Sequence, residues 1–166
     1  MTASAPVDAD ELRRIRRRTV GVLSLGQVLG GVAFGATISL GAILAADISG
    51  DDAFSGLATA LVTLGTAAIA VPLARLAHRR GRRLALATGM SVALLGVGVV
   101  IGAVSLRAFP LLLLGFALIG AGQAANLQSR FAAADLATDA SRGRDLSIVV
   151  WATTVGAVLG PNLVGP

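Results

Sequence analysis

Few side chains in this 166-residue sequence are of types that do bond-making chemistry. There is one histidine, His78, and no cysteine. Clustered imidazole ligands, thiolate nucleophiles, disulfides and Cys-ligated zinc or iron–sulfur centres are thereby excluded. No Gly-x-Ser-x-Gly elbow supplies a serine nucleophile either. The expectation is a protein with no catalytic residue, no metal and no cofactor, and so not an enzyme. What remains is a sparse set of polar and ionisable residues embedded in apolar sequence: Gln27, Asn126, Arg130, Trp151 and Asn162. Their chemistry is binding. Asn126 and Arg130 are four apart, share a helix face and could line a cavity together. Trp151 could stack on a planar or cationic solute, or equally anchor its helix at an interface. Gln27 could face a cavity or bridge two helices by a hydrogen bond; the bond is the expected role.

The elements that must position these groups follow from composition. The chain is 55% hydrophobic but only 14% charged, where a soluble domain carries about 25%. Its charges bracket uncharged runs at 19–46, 53–74, 84–106, 108–129 and 146–166. Each run reaches the roughly 20 residues that cross a hydrocarbon core. The expected fold is therefore all-α, a polytopic membrane helix bundle. A basic tail at 1–18 precedes helices at about 19–46, 53–74, 84–106, 109–129 and 146–166. Net charge is +5, yet the arginines flank apolar spans and Tyr is absent, which argues against a nucleic-acid partner. The partner is the lipid bilayer.

Arginine placement sets the expected orientation. Five lie at 13–18, five at 75–83, three at 130–144 and one at 107. Cytoplasmic loops retain Arg, so the chain reads as a multi-pass cell-membrane protein with a cytoplasmic N-terminus. Small residues recur at four-residue spacing, in Gly26/Gly30, Gly31/Gly35, Gly98/Gly102 and Gly156/Gly160. In lipid such pairs let helix backbones approach closely.

The loop between the second and third runs reads Ala74-Arg75-Leu76-Ala77-His78-Arg79-Arg80-Gly81-Arg82-Arg83-Leu84-Ala85-Leu86. It resembles the signature loop of the major facilitator superfamily, G-x-L-A-D-R-x-G-R-R-x-x-L, which joins helices 2 and 3. Leu76, Ala77, Arg79, Gly81, Arg82, Arg83 and Leu86 match; Ala74 replaces a glycine and His78 an aspartate. A glycine at position 81 permits a reversal with positive φ between two helix ends. The resemblance implies a gating latch between the two transporter halves, against the simpler role of a topological anchor. A neutral imidazole cannot supply the carboxylate's ion pair but can accept a hydrogen bond.

The last run resembles the antiporter motif of drug-exporting members, g-x-x-x-G-P-x-x-G-G. Gly156, Gly160, Pro161 and Gly165 match, with Val164 departing. The resemblance implies a secondary active transporter exporting small amphipathic or drug-like compounds by alternating access, with protons as coupling ion. Drug/proton antiporters commonly carry an arginine in the membrane half of helix 4. Phe116 to Gly122 has none, so no proton carrier is identified. Asp135 and Asp139 read as charge partners for Arg79, Arg82 or Arg130. The alternative is a non-transporting membrane protein, a remnant serving only in assembly. The family fold has twelve helices, so the sequence reads as a fragment: a truncated first half whose missing C-terminal half would complete the cavity.

The arginine distribution makes a direct prediction. In intact cells, a membrane-impermeant thiol reagent should label a cysteine placed at position 51 and spare one at position 81. The reverse pattern would invert the topology.

Overall fold

The computed structural model describes residues 9–135 and 142–164. Five α-helices follow in order: α1 (Ala9–Ser49), α2 (Leu57–Arg80), α3 (Arg82–Leu106), α4 (Phe109–Asp135) and α5 (Arg142–Val164). A short 3-10 turn, Asp52–Phe54, precedes α2. Four spans are long and apolar enough to cross a membrane, ending at Ser49, Arg80, Leu106 and Arg130, while α5 contributes the shorter apolar stretch Val150–Gly160.

The helix ends differ from the hydropathy boundaries for identifiable reasons. α1 has 41 residues, a rod of roughly 60 Å. The segment read as a separate tail is helical from Ala9, because Glu11, Leu12, Arg13 and Arg14 are good helix formers whatever their polarity. α2 begins at Leu57 rather than 53 because the Asp51 side chain accepts a hydrogen bond from the Ala53 N–H (2.8 Å) and holds the 3-10 turn. At its other end α2 runs on to Arg80, where His78, Arg79 and Arg80 complement the negative end of the helix dipole.

One residue links α2 to α3. Gly81 (φ 90°, ψ 155°) ends α2 and starts α3, donating its N–H to Ala77 O (3.0 Å) and accepting from the Ala85 N–H (3.3 Å). At the opposite end Arg107 adopts a left-handed conformation (φ 49°) that closes α3. Its guanidinium meets Asp47 at 3.5 Å, an exposed pair tying the α1 and α3 ends.

α4 is the central helix. Of its apolar window 44% is buried, against 17–22% for α1, α2 and α3. It packs on α2, α3 and α1, while α5 packs chiefly on α1. One cluster gathers Ala45, Ala58, Val62, Ala103, Leu112 and Phe116; another gathers Leu73, Ala85, Ala124 and Ala125. Outward-facing Leu25, Leu94, Leu95 and Leu106 are more than 60% exposed, as expected of a surface that meets lipid tails.

Three seams depend on glycine. A Cβ on Gly31 would stand 2.9 Å from Gly156 Cα, and one on Gly160 would stand 2.7 Å from Val32 O and 3.0 Å from Gly35 Cα. α1 and α5 thus touch backbone to backbone. In the α2–α4 seam a Cβ on Gly120 would lie 2.6 Å from Thr66 N, and in the α3–α4 seam one on Gly96 would lie 2.8 Å from Ile119 N. The Gly98/Gly102 pair does not join a seam: a Cβ there meets nothing within 4 Å, and the same holds for Gly26. Small spacing alone does not say which face has a neighbour.

In the full-length protein, Gly156→Val should destabilise by about 1–3 kcal/mol, because the new side chain strikes the Val28 carbonyl. Gly98→Ala should be neutral or gain up to about 1 kcal/mol, since helix propensity improves in open space. Thermal unfolding in detergent reads both; equal effects would remove the seam assignment.

Candidate functional site

The site begins with one side chain. Gln27 on α1 is 0% exposed and lies roughly 13 Å along the helix axis from Arg18. An amide at that depth must find its partners inside the protein. A glutamine side chain offers two donor hydrogens and one oxygen with two lone pairs. All four are used. Nε2 donates to Asn126 O (2.8 Å) and to Ser129 Oγ (2.5 Å). Oε1 accepts from Thr153 Oγ1 (2.7 Å) and from Arg130 Nε (3.3 Å). Ser129 passes its own hydroxyl proton on to Asn126 O (2.7 Å). Because Arg130 can only donate, the amide's orientation is determined by its neighbours.

This knot joins α1, α4 and α5, and a cavity of about 330 Å³ opens beside it. Its wall includes Phe34, Thr63, Thr66, Gln123, Asn126, Arg130 and Thr153. The single hydroxyl proton of Thr66 lies within reach of Val62 O (2.8 Å) on its own helix and Gly120 O (3.0 Å) on α4, so it can bridge α2 to α4. Asn126 is 5% exposed, yet its side-chain amide makes no hydrogen bond with a described residue. Arg130 is half-buried, and its terminal guanidinium nitrogens likewise have no partner among the described residues. A second cavity of about 310 Å³ between α1, α3 and α4 is walled mainly by Ala33, Phe34, Met90, Leu94, Val97 and Ile119. Thr37 and Gln123 are its polar lining residues.

The sequence-derived candidates divide. Gln27, Asn126 and Arg130 come together. Trp151 and Asn162 do not join them: Trp151 is 72% exposed, and Asn162 turns its amide back to Val158 O (2.7 Å). Helical phase explains this. Thr153, Gly156 and Gly160 face α1, and a residue two positions from that line points about 200° away. Thr153 and Ser129 are the functional neighbours that sequence reasoning passed over. The signal was register: Gln27, Gly31 and Gly35 form one face of α1, and Thr153, Gly156 and Gly160 form its counterpart on α5.

At the basic end Gly81 presents its neighbours. Ala74, Leu76, Ala77 and Arg82 are half-buried there, while His78, Arg79 and Arg83 are exposed. Arg75, Arg79 and Arg80 line a shallow concavity of about 390 Å³ with Pro72 and Leu76. Asp139 and Gly165 lie outside the described residues, as do the side chains of Asp135 and Pro161.

Residues 23–165 match the family described as Major Facilitator Superfamily. The chain is 41% identical over 156 residues to an uncharacterized MFS-type transporter, YdeG, of Bacillus subtilis (strain 168), covering 93% of this chain and 36% of that protein. It is 39% identical over 160 residues to a second such protein of that strain, YddS, covering 95% and 36%. A riboflavin transporter, RfnT, of Brucella anthropi is 36% identical over 151 residues, covering 89% and 37%. The chain thus spans little more than a third of the length of these relatives. No solved structure matches.

The knot predicts a coupling. Gln27→Leu should destabilise the full-length protein by about 1–3 kcal/mol per stranded partner, and Thr153→Val by about 1 kcal/mol. The double mutant should be less destabilised than the sum, because the Thr153–Gln27 bond is counted in both single changes. Strict additivity in thermal unfolding would mean the two side chains do not interact.

Proposed function

The chain belongs to the major facilitator superfamily, and we propose that it forms part of a secondary active transporter moving a small amphipathic organic solute by alternating access. The observation that carries this reading is the cavity beside Gln27, largely apolar but edged by Asn126, Arg130 and Thr153, set where four helices meet through small residues. Small-residue seams suit alternating access because two backbones in contact can rock without repacking large side chains. A name among the relatives includes riboflavin, a planar molecule rich in carbonyl groups. Such a solute suits a cavity with amide and guanidinium donors on one wall and Phe34 on another.

The finer reading is proton-driven efflux across the cell membrane, with the N-terminus in the cytoplasm. The thirteen arginines away from position 107 support the orientation. The likeness of the Gly156 to Gly165 stretch to the exporters' motif supports the direction. No carboxylate lines the cavity among the described residues, so the coupling proton is taken up elsewhere in the whole protein. The loop acts as the cytoplasmic latch: Gly81 makes a one-residue turn, and Arg79, Arg82 and Arg83 hold acids near the end of α4, Asp135 first and Asp139 next.

Everted vesicles containing the full-length protein should accumulate riboflavin or a fluorescent xanthene dye when a proton gradient is imposed, and an uncoupler should abolish the uptake. Uptake equal to that of empty vesicles for every solute would remove the transporter reading. Arg82→Ala should lower the flux several-fold with insertion unchanged, through loss of an interaction of about 1.5–3 kcal/mol if partly desolvated. Asp135→Asn should match it, and the pair should be less than additive. His78→Asp should be tolerated, whereas normal flux in Arg82→Ala would leave the loop as an anchor.

A further inference from the structure

The cavity beside Gln27 has an electrostatic character that the transporter reading leaves open. The chain's nine acids sit at positions 8–11, 47–52 and 135–145, outside the stretches that wall the cavity. Arg130 is the charged residue on that wall. An ionisable group inside a membrane bundle is normally paired, yet the described residues offer Arg130 only the neutral Gln27 oxygen, taken up by Nε. Among the described residues its two terminal nitrogens have no partner. One helical turn away the carboxamide of Asn126, nineteen-twentieths buried, packs against Gly30 and has no hydrogen-bond partner among the described residues. An amide that reaches a cavity with no protein partner is open to a hydrogen bond from a bound solute.

The geometry points to a planar organic anion as the solute class of this cavity. Its carboxylate or other acidic oxygen bonds to the terminal nitrogens of Arg130 and the amide of Asn126, and its ring lies toward Phe34. The inference rests on the transporter reading above. Gln27 is the positioning residue: by accepting from Nε it turns the guanidinium's outer edge toward the cavity, and its own other bonds to Asn126, Ser129 and Thr153 keep it fixed. A cation would meet the positive field of Arg130 with no carboxylate on the described wall to offset it. The volume of about 330 Å³ lies at the lower end of small-molecule sites, which run from about 300 Å³.

Two xanthene dyes of opposite charge separate the alternatives: fluorescein, an anion, and rhodamine 123, a cation. Fluorescence anisotropy with purified full-length protein in neutral detergent should give at least tenfold tighter binding of fluorescein. Arg130→Gln should weaken fluorescein about ten- to hundredfold, as expected for losing a charge-assisted bond, while Arg130→Lys should keep the preference for the anion. Asn126→Ala should weaken it several-fold. Gln27→Glu sets a carboxylate against the guanidinium and should abolish the preference. Gln27→Leu, which loses the same donations to Asn126 O and Ser129 Oγ without adding charge, should bind more weakly but keep the preference. Equal loss of the preference in both would make the role of Gln27 purely structural. Rhodamine 123 binding as tightly as fluorescein, fluorescein binding unchanged in Arg130→Gln, or no binding of either dye would each overturn the anion site. Displacement of fluorescein by phosphatidylglycerol, with no fluorescein flux in vesicles, would assign Arg130 to a lipid headgroup and overturn it also. Uncoupler-sensitive flux of rhodamine 123 alone would leave the transporter standing without the anion site. Fluorescein binding with no flux of any solute and no competition by lipid would leave the anion site standing without the transporter.

Discussion

A carboxamide carried into hydrocarbon must satisfy two donor hydrogens and two lone pairs from within the protein, because no water is there to do it. Gln27 meets that demand with groups from two other helices, α4 and α5. The consequence is geometric. The three helices can satisfy the amide only at one rotation and one axial register, so a single side chain ties α1 to both of its principal neighbours on that side. Sliding α5 along α1 by one residue would carry Thr153 away from Gln27 and set a side chain where Gly156 now meets Gly31. Polar satisfaction and backbone contact therefore demand the same register, and each reinforces the other.

The cavity is a by-product of the same arrangement. Glycine seams draw α1 to α5, α2 to α4 and α3 to α4 at close range, and the cavity beside the knot is lined by larger side chains such as Phe34 and Leu127. Space opens where close seams diverge. Its polar wall is the flank of the Gln27 network itself, which is why Arg130 and Asn126 face it. In a lipid-exposed position the same residues would destabilise the bundle. Here they line a cavity, where an unfilled hydrogen-bonding capacity can serve recognition.

At the basic end a different constraint operates. α2 and α3 are joined by one residue, and only a positive φ lets the chain reverse there, so Gly81 is required by geometry alone. The single-residue link leaves little slack between α2 and α3. That stiffness suits a latch better than a loose loop would.

Much was legible in the sequence because it depends on composition and local chemistry. Uncharged runs of spanning length, arginine-flanked ends, the reversal at Gly81 and the small-residue pairs require no knowledge of neighbours. Helix ends were less legible: Ala9 to Arg18 and Arg75 to Arg80 are charged but good helix formers, so polarity marks where lipid ends and not where the helix does. Partnership was legible only as shared faces, not as which face meets which. Gly31 and Gly98 look alike in sequence, yet one touches another backbone and the other faces open space. Trp151 and Thr153 are two residues apart, yet only the threonine reaches Gln27. Local sequence determines that a helix forms and which residues share its face; which face meets which neighbour is a property of the packed bundle. Only the tertiary structure could decide that Gln27 joins Asn126 and Arg130 and that Trp151 and Asn162 stand apart, because the sequence shows which residues share a helix face but not which faces meet.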